Sequence, residues 1–282
     1  MKLLRFGYDG RERPGILDRD GNIRDASSLV SDWSGDVLDP DNLAGIADID
    51  IRTLPIAPSD VRIGPCVGHV GSFVCIGINY SDHAAETGSK LPAEPLLFMK
   101  STGALSGPHD PIIIPKGSKC TDWEVELGVI IGRTARYVPE DEALSYVAGY
   151  CTVDDVSERD FQKNRSGQWV KGKSADSFGP IGPWLVTTDE VPDPQNLALW
   201  LEVNGERMQE SNTSYMVAGV ARLVSYISHF FTLRPGDVIS TGTPSGVAMG
   251  RNPPNYLKPG DKVVLGVEGL GRQEHMVVSA EA

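Results

Sequence analysis

Short apolar runs, each closed by glycine or proline, recur along most of this chain, and that rhythm restricts it to a strand-rich fold. FVCIGI, PLLFMK, PIIIP, VELGVII, YVAGYCTVDD, LALWLEVNG, DVISTG and KVVLGVEG are rich in Val, Ile and aromatic residues and are bounded by turn formers. Such runs read as strands. One substantial helix is predicted, at roughly 215–231, where Met216, Val220, Leu223, Ile227, Phe230 and Phe231 recur at helical spacing. No regular βαβ alternation appears, which disfavours a doubly wound sheet. The expectation is a mixed α/β, mostly β, fold.

The first forty residues alternate strand-like segments with Asp9-Gly10 and Asp20-Gly21, a hairpin signal in which both turn positions are expected at positive φ. A short helix should open near Pro40. The punctuated stretch from Pro55 to Gly68 then suggests a boundary, with a small N-terminal domain over 1–65 and the catalytic domain over 66–282. The net charge of −12 argues against nucleic-acid or anionic-membrane partners. No run of 18 apolar residues and no secretory leader is visible, so a cytoplasmic location is expected. Cys66, Cys75, Cys120 and Cys151 form no C-x-x-C pair, and are expected to be free thiols.

Chemistry enters with TDWEVELGVIIG. Glu124 and Glu126 stand two apart in a strand-like run, so they share a face with Cα atoms about 7 Å apart. The continuous apolar run that follows suggests a central strand. Two carboxylates near a core need a cation, and hard oxygen ligands suit Mg²⁺, Mn²⁺ or Ca²⁺. In CTVDDVSERDFQ a strand ends at Asp154-Asp155, which could supply a third carboxylate or cap a helix. In GINYSDHAAETG, a helical turn over 81–87 would bring His83 and Glu86 together as i,i+3 neighbours. A carboxylate holding one imidazole nitrogen leaves the other free to take a proton from water. VKGKSADSFGPIGPW offers a lysine beside glycine to an anionic ligand, and STGTPSGV offers backbone N–H groups and hydroxyls to a carboxylate; both also read as ordinary Gly/Pro loops. Each segment alone also fits an ordinary strand, cap or loop.

Together, these segments resemble the fumarylacetoacetate hydrolase family from about Gly77 to Gly269. The likeness rests on N-Y-x-x-H-x-x-E (Asn79, Tyr80, His83, Glu86), E-x-E-L, D-x-x-x-R-D-x-Q (Asp155, Arg159, Asp160, Gln162), G-K-S and T-G-T-P-x-G-V, in that order. The resemblance implies a β-roll catalytic domain behind a small β-rich N-terminal domain, and a homodimer. It implies one Mg²⁺ or Mn²⁺ on Glu124, Glu126 and Asp155, with Ca²⁺ as a stand-in in crystals. His83, Glu86 and Lys173 would be catalytic, with Lys173 preferred over Lys171. Arg159, Gln162, Thr243 and Tyr80 would meet the substrate. Ala175 departs from the aromatic that members often carry after G-K-S, which bears on pocket shape.

The implied activity is metal-dependent hydrolysis of a C–C bond in a small 2,4-dioxo acid, releasing pyruvate. GPIGPW and the GVAMGRNPPNYLKPGD loop look most like members acting on 2,4-dioxo-3-deoxy-L-rhamnonate or -fuconate. Isomerisation or decarboxylation of hydroxymuconate-type diacids, oxaloacetate decarboxylation and ureidoglycolate cleavage are the alternatives on the same fold. A ligand-binding domain without catalysis would be expected to lack a metal ligand or the His–Glu pair, and this chain carries all of them.

Overall fold

In the computed structural model, which describes residues 1–280, strands dominate. A ten-stranded sheet runs in the order Ile23–Asp25, Arg13–Leu17, Lys2–Phe6, Gly179–Thr187, Val147–Asp154, Val125–Ile131, Val238–Ser240, Phe73–Gly77, Leu96–Lys100, and Leu105–Ser106 pairs with Gly179–Thr187 off this path. A five-stranded sheet runs Glu206–Asn212, Ala198–Val203, Lys262–Val267, Arg272–Ser279, Ile112–Ile114. Every apolar run read as a strand contains one. Among the described residues, no helix is long and apolar enough to cross a membrane.

The central strand Val125–Ile131 has both faces buried. Val125, Leu127, Val129 and Ile131 join Leu199, Leu201, Val263 and Leu265 of the smaller sheet in one core, which also takes Leu223, Val224 and Ile227 of a helix. The alternate face carries Ile130 into a second core with Phe73, Cys75 and Val153. Period-two alternation puts Glu126 on that second face.

Three expectations need correction. The strands at Lys2–Phe6, Arg13–Leu17 and Ile23–Asp25 do pair antiparallel across the Asp-Gly turns. In each Asp-Gly pair the glycine alone takes positive φ, Gly10 at +69° and Gly21 at +84°, while Asp9 and Asp20 do not. The connections exceed two residues, so they are not two-residue turns, and the first has a further positive φ at Gly7, +123°. The predicted 215–231 helix spans only Val220–Ser228. Residues before it are captured by Asn79, whose side-chain oxygen accepts from the Ala218 N–H at 2.9 Å and whose carbonyl accepts from the Val217 N–H at 2.8 Å. Phe230 and Phe231 fall beyond the helix and are exposed. Lastly, GPIGPW lies in a strand, Gly179–Thr187, inside the main sheet, and not in a loop. Its pairing with Val147–Asp154 shifts register between Tyr150 and Thr152, which accommodates Pro183.

The helix expected at Pro40 spans Pro40–Ala47, capped by Asp39. The expected boundary at 55–70 falls where only isolated bridges occur, Arg24 with Ile56 and Phe6 with Ile63. The N-terminal strands continue the main sheet through Leu3 opposite Leu185, and both residues share the second core.

Gly149 marks the tightest point of this sheet. A Cβ there would stand 2.1 Å from the Val186 carbonyl oxygen, and backbone cannot swing away as a side chain can. Gly149→Ala is therefore expected to cost at least about 1–3 kcal/mol. A lower urea midpoint at unchanged m would register the loss, and an unchanged midpoint would refute it.

Candidate active site

Glu124 and Glu126 flank the start of the central strand, and Asp155 follows the end of its neighbour, Val147–Asp154. The Asp155 N–H donates to the Glu124 carbonyl at 3.0 Å, which locks the two strand ends together. One oxygen from each of Glu124, Glu126 and Asp155 lies within 4.8 Å of the others, and all three residues are buried.

Cations enter the cluster from separate segments. Lys173 Nζ donates to Glu124 Oε2 and Asp155 Oδ2, each at 2.6 Å. Arg159 Nη2 donates to Glu124 Oε1 at 2.7 Å, while its Nε reaches Asp122 Oδ2 at 2.8 Å. Lys100 Nζ stands 2.5 Å from Asp155 Oδ1, off the hydrogen-bonding direction, and donates to the carbonyls of Lys173 and Val156. Burial works against ionisation of Glu124, yet Arg159 and Lys173 hold its carboxyl well below the usual range. Glu126 is pushed well above that range by burial, then by Asp155 and Glu124. Burial raises the Asp154 carboxyl to about 7. Lys173 is raised because Asp155 and Glu124 outweigh its burial.

A cavity opens onto this cluster, lined by His83, Glu124, Glu126, Arg159, Gln162 and Lys173 among others. Ile76, Ile78, Phe98, Trp169 and Met249 make its apolar wall, and Thr87, Ser89 and Lys163 its polar one. His83 stands on the short helix Ser81–Glu86. Its Nδ1 lies 3.6 Å from Glu86 Oε2, beyond hydrogen-bond reach, and has no other partner. Such contacts often tighten only when substrate binds. Glu86 itself accepts from the Gly246 N–H through both oxygens at 3.0 Å. Gln162 accepts from Arg159 Nη1 at 3.2 Å. Thr243 lines the cavity, but its hydroxyl is committed to the Val125 carbonyl and to Gln209.

Of the residues named from sequence, Asp155, Glu86 and Tyr80 are not on the cavity wall. The first two back it; Tyr80 is buried with its hydroxyl unpartnered. Lys171 is exposed, with its Nζ on the Arg165 carbonyl, so Lys173 is the lysine of the site. Ala175 packs against the main core.

Sequence reasoning missed Lys100 and Asp122. Lys100 ends an apolar strand, a place where a charge needs a buried partner. Asp122 sits two residues before Glu124, where nothing in the pattern distinguished it. The STGTPSGV segment does offer a hydroxyl and N–H groups to a carboxylate, but to the chain's own: Ser240 and the Gly242 N–H hold Glu126 Oε2 at 2.5 and 2.8 Å.

Residues 72–278 match the family described as Fumarylacetoacetate (FAA) hydrolase C-terminal. The chain belongs to that family. A relative from Burkholderia lata, whose name assigns it provisionally to the hydrolases, is 61% identical over 274 residues, covering 97% of each chain. The crystal structure of maleylpyruvate hydrolase from Sphingobium sp. SYK-6, in complex with manganese(II) and pyruvate, is similar at 29% identity and TM-score 0.82, with full coverage of both chains. A 5-carboxymethyl-2-hydroxymuconate delta-isomerase from Mycobacterium smegmatis is similar at 32% identity and TM-score 0.79, also with full coverage of both. Neighbours of this fold thus include both a hydrolase and an isomerase.

The donor set fits a hard divalent cation. Asp122, Glu124, Glu126, Asp154 and Asp155 outnumber Lys100, Arg159 and Lys173 by two charges. The excess surfaces in the raised Glu126 and Asp154 carboxyls. A divalent ion on the Glu124–Glu126–Asp155 oxygens restores the balance and must displace protons to bind. Mn²⁺ titration is therefore expected to release protons, to bind more tightly as pH rises, and to raise Tm. A hundredfold excess over Kd is worth about 2.7 kcal/mol. Calorimetry in buffers of different ionisation enthalpy measures the release, and Glu126→Gln should reduce it. Tight binding with no proton release would contradict this account.

Proposed function

We propose that this protein hydrolyses the C3–C4 bond of a small 2,4-dioxo acid, releasing pyruvate and a second acid. The observation that carries this reading is the meeting, around one cavity, of the acidic triad, the buried Lys173 and a His–Glu pair. A divalent cation held by Glu124, Glu126 and Asp155 would supply Lewis-acid stabilisation of negative charge developing on oxygen. Arg159 and Gln162 bind the carboxylate end of the substrate. His83, oriented by Glu86, takes a proton from water, which attacks the C4 carbonyl carbon. Breaking C3–C4 leaves an enolate, whose oxygen accepts a hydrogen bond from Lys173 Nζ. Protonation at C3 gives pyruvate. The manganese- and pyruvate-bound maleylpyruvate hydrolase neighbour supports this reading. Thr87 and Ser89 on the cavity wall support a hydroxylated acyl group, as in 2,4-dioxo-3-deoxy-L-rhamnonate or -fuconate.

An isomerase needs the same enolate but no attacking water, and the hydroxymuconate isomerase neighbour supports that second reading. The His–Glu pair favours hydrolysis. His83→Ala should cut acylpyruvate hydrolysis by about a hundredfold or more while Mn²⁺ binding survives. Solvent ¹⁸O should enter the acid that is not pyruvate. Lys173→Met should lower kcat more than it raises KM. If no 2,4-dioxo acid yields pyruvate, or His83→Ala keeps full rate, isomerisation becomes the better account.

A further inference from the structure

Asp122 is completely buried and saturated with donors. Its Oδ1 accepts from the N–H groups of Trp123 at 2.9 Å and Ala248 at 2.7 Å. Its Oδ2 accepts from the Met249 N–H at 3.0 Å and from Arg159 Nε at 2.8 Å. One carboxylate therefore ties the cavity guanidinium to the short turn Ala248–Gly250. Against that same turn lies Glu86. A Cβ built on Gly250 would stand 2.3 Å from both Cγ and Cδ of Glu86 and 2.7 Å from its Oε1. Gly250 has no positive φ, so its backbone does not require glycine. The position is bare for space alone.

We propose that the Gly246–Gly250 segment is the seat of the Glu86 carboxylate, and that Gly250 and Asp122 are positioning residues for the His83–Glu86 pair. The Gly246 N–H grips both Glu86 oxygens, and the bare Cα of Gly250 admits the side chain to that grip. Asp122 anchors the seat and Arg159 together, so the base and the substrate-facing cation keep a fixed offset. This inference rests on the reading of His83 and Glu86 as the proton-accepting pair.

Gly250→Ala tests it. The atoms a new methyl group would strike belong to a flexible side chain, so Glu86 swings aside and Tm is expected to move by no more than about 4 °C, near 1 kcal/mol or less. Misplacement by about 1 Å near a reacting group can cost a hundredfold. With Mn²⁺-loaded enzyme and acetylpyruvate, kcat should fall at least about tenfold while KM holds. In a Glu86→Ala background the same change should add nothing, because the clash is gone. Asp122→Asn should lower kcat and raise KM together; a change in KM alone would remove Asp122 from the seat. Full kcat in Gly250→Ala, or an equal loss in both backgrounds, overturns the proposal. If Glu86→Ala itself keeps full rate, the catalytic reading of the pair fails instead. A crystal structure of Gly250→Ala then still decides the seat, which is refuted if Glu86 remains 3.0 Å from the Gly246 N–H.

Discussion

A cluster of buried carboxylates that its own cations do not balance is the constraint on which this site is built. Arg159 and Lys173 hold the Glu124 carboxyl ionised against its burial, and Lys173 bridges Glu124 to Asp155 at 2.6 Å on each side. Glu126 has hydrogen bonds from Ser240 and Gly242 but no lysine or arginine of its own, and it retains its proton more strongly than an ordinary carboxyl. Desolvation makes each of these charges expensive, and removing one partner would leave the others buried and unpaired. Stability alone would favour apolar replacements, whereas these carboxylates place three oxygens within 4.8 Å of one another, a donor set that fits a divalent cation.

The cluster also dictates how the surrounding segments assemble. Lys100 arrives from the sheet edge, Lys173 from a short helix, Arg159 from the start of another, Arg159–Lys163, and Ser240 from the strand on the other side. Lys100 fixes the Lys173 and Val156 carbonyls as well as touching Asp155, so it shapes the floor beneath the cavity. Aromatic contacts cover the cluster: Phe98 packs on Trp169 with ring centroids 5.1 Å apart, and Lys173 Nζ lies 5.0 Å from the Phe98 centroid.

Much of the site was legible because its residues come in local patterns whose spacing has physical meaning. E-x-E in a strand places two carboxylates on one face, and H-x-x-E on a helical turn places two side chains side by side. The order of the motifs was legible too, and it pointed to the family that the domain match establishes. Lys100 and Asp122 were not legible, since their partners lie 55 and 37 positions away in sequence, at Asp155 and Arg159. Tyr80 sits in the most recognisable motif, yet its hydroxyl is buried without a partner and off the cavity wall. Motif membership records proximity along the chain and says little about which way a side chain points.

By itself the sequence determined the strand-rich class, the positions of nearly all apolar strands, and the acidic, histidine and lysine groups available for chemistry. Turn residues and side-chain alternation act over a few positions, so those features can be read without knowing the partners. Tertiary structure alone decided that a proline-bearing segment could enter the main sheet, where a register shift makes room for it. It shortened the helix at Val220 through the side chain of Asn79, whose grip on Ala218 spans 139 positions. For the lysine that the G-K-S motif had already favoured, it supplied the contacts: Lys173 is buried against Glu124 and Asp155, whereas Lys171 two residues before it is exposed.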